Sequence, residues 1–180
     1  FLITLWLLIH IFLFWYPGIR DELFDARGYI KGAQFLLSNG RFEDTHHIFY
    51  SIPILSIAFF KSLSGQGIVA FVIFQCVLSL FAAFALYRAA TKLFYNTTAG
   101  FLSAVIFLCW WDVIHWNTAV MTESIFGSLV CFIIFKITFF RKSFRNYAFL
   151  VLLLSICFFT RPTGIIIILG ATVFLLTMHW

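Results

Sequence analysis

Long apolar runs alternate with short polar breaks along the chain. The runs cover residues 1–16, 67–87, 98–111, 119–140, 147–159 and 164–178. A membrane-crossing helix needs about 20 mostly apolar residues, so the pattern predicts a series of spanning helices, the shorter ones borrowing flanking residues or tilting. Pro17-Gly18 stops the first run, and no small-residue cleavage site precedes it, so this run is expected to be a membrane helix and not a removed signal. The polar stretch 20–47 then holds most of the charge. Within it, residues from Asp25 onward suit a short helix ended at Asn39-Gly40, with positions 25, 29, 33 and 36/37 on one face. No repeat, low-complexity tract or glycine-serine linker interrupts the chain, which is read as one membrane domain, 1–180.

Segment 48–63 is apolar but short for a span, with Pro53 near its start, where a helix tolerates proline. Charge decides how it is counted. If it lies at the interface, the acid-free loops carrying Arg88 and Lys92, and Arg141, Lys142 and Arg145, share one side, which the positive-inside rule makes cytoplasmic. If it spans, those loops face outward against the rule. It is therefore read as interfacial. Asp21, Glu22, Asp25, Glu43, Asp44, Asp112, Glu123 and Arg161 then fall on or near the outer face. The predicted fold is all-α: a polytopic transmembrane bundle with an outer-face loop carrying interfacial helices.

Composition agrees. Hydrophobic residues make up 63% and charged residues 11%, against roughly 45–50% and about 25% in soluble domains. That excess excludes a soluble enzyme and a disordered chain. The net charge of +5 comes from the inner loops and a snorkelling Lys136, and does not point to nucleic acid. Cys76, Cys109, Cys131 and Cys157 all fall in apolar runs without metal-ligand spacing, so they are read as small apolar residues. The apolar runs at both ends, Phe1 and Trp180, lead us to expect a piece of a longer protein.

Three positions could carry chemistry. Asp25 sits at the start of the loop helix, as a surface cap or as a general base held at the membrane. Glu123 lies at a helix mouth, where an ionisable group is costly and is either an interfacial cap or functional. Arg161, in Thr160-Arg161-Pro162-Thr163-Gly164, is either a snorkelling side chain or a phosphate clamp, since its guanidinium fork matches phosphate oxygens. His46-His47 have no spaced carboxylate or thiol and are read as polar loop residues, not a metal site. Asp112 and His115, after Trp110-Trp111, mark the interfacial belt, and the Asn96 sequon is expected on the inner side, where it is inert.

In order, Asp25-x-x-x-Tyr29, a helix ending in Gly40, Tyr50-x-x-Pro53, Thr122-Glu123 and Thr160-Arg161-Pro162-Thr163-Gly164 resemble the N-terminal membrane part of GT-C class glycosyltransferases. The family 39-like enzymes, related to protein mannosyltransferases and aminoarabinose transferases, are the nearest in pattern. The resemblance implies a polyprenyl-phosphate-linked sugar donor, a glycan, lipid or protein acceptor, and transfer at the outer face of a bacterial inner membrane. It implies no cofactor; a divalent metal is permitted but not indicated. Carried over, Asp25 would be the base and Glu123 a second active-site carboxylate orienting the acceptor or a basic partner. Tyr29 would contact substrate, and Arg161 would hold the donor phosphate. Asp21-Glu22 also resembles an Asp-Glu pair that relatives place in this loop. The base is thus Asp21 or Asp25, the latter favoured by its spacing to Tyr29 and Ala33. Where relatives often have two prolines, this chain has Pro53 alone. The competing readings are a transporter or flippase for a lipid-linked glycan, disfavoured by nearly uncharged helix centres, and a non-catalytic membrane scaffold.

Overall fold

The computed structural model describes residues 1–15, 18–21 and 24–177; Pro17, Glu22 and Trp180, named above, lie outside them. The described residues form ten α-helices: α1 (Leu2–Trp15), α2 (Phe24–Asn39), α3 (Thr45–Phe49), α4 (Ser51–Leu63), α5 (Gly67–Phe94), α6 (Thr97–Cys109), α7 (Trp111–Asn117), α8 (Thr122–Thr138), α9 (Phe144–Thr160) and α10 (Gly164–Thr177). Their only β feature is an isolated parallel bridge, Arg20 to Ala119.

Local chemistry sets the boundaries. The Asn96 side chain accepts from Thr98 N at 2.7 Å and Ala99 N at 3.3 Å, starting α6 straight after Tyr95 ends α5 in the left-handed region. Asp44 caps α3 and Ser143 caps α9 in the same way. Gly40, at φ +67°, closes α2 where the sequence places its stop. One run differs from expectation. The run 98–111 breaks at the extended Trp110, so α6 and α7 meet at 53°. Cys109, beside the break, is exposed, whereas Cys76, Cys131 and Cys157 are buried.

Helix α5 is the spine, packed along α6 and α8. Gly100 lets α6 approach closely: a Cβ there would meet Thr91 Oγ1 at 2.0 Å and Tyr87 O at 2.6 Å. At 28 residues, about 42 Å long, α5 exceeds the roughly 30 Å of bilayer hydrocarbon. Among the described residues it alone is long and apolar enough to cross a membrane as a single helix, and the bent α6–α7 pair would be a second span.

Side-chain contacts orient the bundle. Gln75, early in α5, donates to Met121 O just before α8, while Lys92, late in α5, donates to Thr138 O at the end of α8; the two run parallel. Glu123 to Arg161 and Lys136 to Asn146 pair α8 antiparallel with α9. One end of the bundle therefore gathers the starts of α5 and α8 and the end of α9. Both ends of α4 stay there. Phe49, just ahead of it, meets Phe158 late in α9, and its closing Lys61 abuts Gly67, the first residue of α5. Segment 48–63, split into α3 and α4, begins and finishes at one end of the bundle.

A buried polar network joins the layers at this end. Asn117 Nδ2 donates to His10 Nε2 and Ser79 Oγ, each at 3.0 Å, and its Oδ1 accepts from Ser124 Oγ at 2.6 Å. His10 Nδ1 faces Trp6 O at 2.8 Å, which requires the neutral Nδ1–H tautomer. Trp6 Nε1 donates to Cys76 O at 3.0 Å. Nearby, a clasp fixes the chain after α1. Arg20 N donates to Thr118 O at 3.0 Å and Val120 N to Arg20 O at 3.2 Å. The Arg20 guanidinium donates to His115 O and Thr118 Oγ1 and lies 2.7 Å from His115 Nδ1.

Two outcomes follow from these contacts. Asn117→Leu leaves His10 Nε2 and Ser124 Oγ without their partner, at about 1–3 kcal/mol for each buried group left unpaired, while Ser79 Oγ keeps its bond to Cys76 O; thermal unfolding in detergent should show a midpoint lower by several degrees. For the clasp, burial and then the Arg20 charge hold the His115 imidazole below its usual range, with Asp112 opposing them. The unfolded chain then takes up protons first, so stability is full above about pH 6.5 and falls on acidification. The unfolding midpoint should drop between about pH 7.5 and about pH 5.5, and His115→Gln should flatten that dependence.

Candidate active site

The outer-loop helix α2 buries Ala26, Tyr29 and Ala33 against the bundle and leaves Asp25 exposed in its first turn. Its partners are α3 and α4. Gly32 permits the contact, since a Cβ there would come within 3.2 Å of both His47 and Ile54. The result is a cavity of about 240 Å³ lined by Asp25, Gly28, Tyr29, His46, His47 and Tyr50. The rings of Tyr29 and Tyr50 lie 5.5 Å apart, and those of Tyr50 and His46 4.8 Å apart. His46 and His47 are thus not loop residues: they belong to α3 and form a wall of this cavity. His47 Nδ1 is buried without a hydrogen bond, 3.7 Å from Asp44 Oδ1 and 3.9 Å from Glu43 Oε2.

Tyr29 connects this cavity with the mouth of α8. Burial raises its phenol well above the usual range, and the nearby charges of Asp25 and Glu123 raise it further, while the Thr122 side chain opposes them. The phenol therefore keeps its proton at neutral pH and has an O–H available to donate.

Glu123 opens α8 and takes two partners. Arg161 Nη1 donates to its Oε1 at 2.8 Å, and Thr122 Oγ1 donates to its Oε2 at 3.2 Å. Arg161 is held by the tight α9–α10 turn. Its N donates to Cys157 O, and a Cβ on Gly164 would meet Cys157 C at 2.9 Å, so that turn leaves no room for a larger residue. The Arg161 side chain stays 36% exposed, against 24% for Glu123, so part of its donor fork remains open to a ligand.

The sequence-selected acids do not share one cavity. Asp25 opens beside His46 and His47. Glu123 lines a cavity of about 360 Å³ with Phe107, Trp110, Asp112, Trp116 and Ser124. Asp21 lines another, of about 330 Å³, with Ile19, Lys61 and the α4–α5 turn. The structure joins Glu123 to Arg161 directly and both Asp25 and Glu123 to Tyr29 electrostatically, and it keeps Asp21 apart. Among the described residues, no group of three or more His, Cys, Asp or Glu side chains could hold a metal ion.

His10, Gln75, Ser79 and Asn117, which tie α1, α5 and the start of α8 together at this end, were not anticipated from sequence. Their signal is polarity inside apolar runs, which marks a residue needing a partner. The Arg20 clasp left no comparable trace, because its partners, backbone atoms together with the His115 and Thr118 side chains, lie some 100 positions away.

Residues 53–180, more than two thirds of the chain, match the model of the dolichyl-phosphate-mannose-protein mannosyltransferase family. No curated protein and no solved structure matches the chain. The matched span includes Glu123 and Arg161, whereas Asp21, Asp25 and Tyr29 precede it. With the match covering most of the bundle, the chain belongs to the dolichyl-phosphate-mannose-protein mannosyltransferase family, and its broad activity is that of a membrane glycosyltransferase.

Proposed function

We propose that this chain moves a sugar from a polyprenyl-phosphate donor to an acceptor hydroxyl at the outer face of a bacterial inner membrane, with Asp25 as general base. In this reading the chain is a multi-pass bundle, and the end holding α2, α3 and α4 faces outward. The observation that carries it is the Glu123–Arg161 ion pair at the same bundle end as the Asp25–Tyr29 cavity.

The chemistry needs two functions. Asp25 accepts the proton of the acceptor hydroxyl as that oxygen bonds to the anomeric carbon. The bond from that carbon to the phosphate oxygen breaks with its electron pair, leaving the lipid phosphate more negative. Arg161 stabilises this developing charge through the donors that Glu123 does not use. Glu123 holds the guanidinium in place, and Tyr29, protonated, donates a hydrogen bond at the junction of the two carboxylates. No nucleotide fold is required, because the donor brings its own leaving group.

The geometry also favours Asp25 over Asp21 as base. Asp25 shares its cavity with Tyr29, which in turn feels Glu123, whereas Asp21 faces the α4–α5 turn. Asp25→Asn should lower transfer by about 10²–10⁴-fold, the usual worth of a general base, with normal membrane insertion, while Asp21→Asn keeps most of the activity; assays on membranes carrying each variant separate the two. Arg161→Lys keeps the charge and loses the fork, and should raise the KM for the lipid-linked donor about tenfold. An unchanged donor KM in that variant would remove Arg161 from the phosphate site.

A further inference from the structure

The opposite end of the bundle carries cations without carboxylates. Arg88 and Lys92 of α5, Lys136 of α8, and Arg141, Lys142 and Arg145 around the α8–α9 turn gather there. No Asp or Glu occurs in residues 62–111 or 124–180, and the three ion pairs among the described residues all lie at the other end. The ammonium groups lie over aromatic rings: Lys92 is 4.4 Å from the Phe139 ring centroid and Lys136 4.9 Å from that of Phe149. Counter-charge for this cluster has to come from outside the described chain.

A groove of about 380 Å³ opens beside it, between α8 and α10, lined by Leu93, Ile134, Ile137, Ile167, Gly170 and Phe174 among others. Thr138, at its lip, accepts from Lys92 Nζ at 2.7 Å through its carbonyl oxygen. An apolar slot thus leads directly to an uncompensated ammonium. We propose that this groove and the basic end form a binding site for one anionic phospholipid, with an acyl chain against α8 and α10 and the phosphate against Lys92 and Arg88. An anionic headgroup supplies the missing charge, which a zwitterionic one does not. The donor lipid is a poorer occupant. Its phosphate is assigned to Arg161, and Glu123 and Thr138 stand 15 residues apart on α8, about 22 Å. The site goes beyond the transfer reaction and does not depend on which residue is the base.

Native mass spectrometry of the full-length protein tests it, after exchange into mixed micelles containing equal phosphatidylglycerol and phosphatidylcholine. The protein should retain phosphatidylglycerol about fivefold over phosphatidylcholine, and Arg88→Gln with Lys92→Gln should erase that preference. Gly170→Leu should lower retention of both lipids, because a Cβ at Gly170 meets nothing within 4 Å and the longer side chain fills the groove without disturbing the backbone. Equal retention of the two lipids, or unchanged retention in Gly170→Leu, overturns the proposal. So does displacement of phosphatidylglycerol by polyprenyl phosphate at about one tenth of its concentration, which would give the groove to the donor. The readout is lipid retention, so it stands apart from any failure of the transfer assay.

Discussion

The start of α8, at the acidic end of this bundle, is set by the side chain of Asn117. Its amide meets His10 of α1, Ser79 of α5 and Ser124 of α8, and each contact is a hydrogen bond in a region with little water to replace it. A helix slipping by one turn would move about 5.4 Å and break all of them together. That fixes the first turn of α8 relative to α1 and α5. Glu123 lies one residue before Ser124, so the network also fixes where the carboxylate stands when Arg161 arrives from α9.

The same constraint explains why polar groups are tolerated in such an apolar chain. His10, Ser79, Asn117 and Ser124 are all buried, and each has at least one partner in another helix. Gln75 spans a break in the helical backbone, donating to Met121 O at 3.3 Å. Between α7 and α8, Ala119 O accepts from Met121 N, while Thr118 O accepts from Arg20 N and Met121 O from Gln75 of α5. A short irregular stretch is thereby held rigidly where the second carboxylate emerges.

Periodicity and charge made most of the fold legible. Apolar runs place α1, α5, α8, α9 and α10, and Asn39-Gly40 marks the end of α2. The reading of 48–63 as interfacial came from charge asymmetry; what the structure adds is that Phe49–Phe158 and Lys61–Gly67 keep both ends of α4 at one end of the bundle. The break at Trp110 was hidden because Cys109, Trp110 and Trp111 are all apolar, and a bend leaves no mark in hydropathy. For the site, Glu123 and Arg161 stood out as charges at helix ends, and the structure pairs them. His46 and His47 did not, because their role depends on Gly32 admitting α3 against α2, a long-range packing fact. The separation of Asp21 from Asp25 was equally invisible. Four residues apart, they would share a face of one continuous helix, but α2 is described from Phe24 and Asp21 precedes it.

On the proposed reading, the ion pair also describes the resting state of a site that must admit and release an anion. An arginine near a membrane boundary is costly without a counter-charge. Glu123 supplies one through a single Nη1 contact and leaves the rest of the fork exposed. An arriving lipid phosphate then meets a cation already positioned and partly neutralised, so binding is restrained and the departing phosphate is not trapped. Thr122, donating to the other carboxylate oxygen, keeps Glu123 turned toward Arg161. In the same reading Asp25 takes the proton and Arg161 meets the developing charge, while the buried Tyr29 phenol does not become a competing anion at neutral pH.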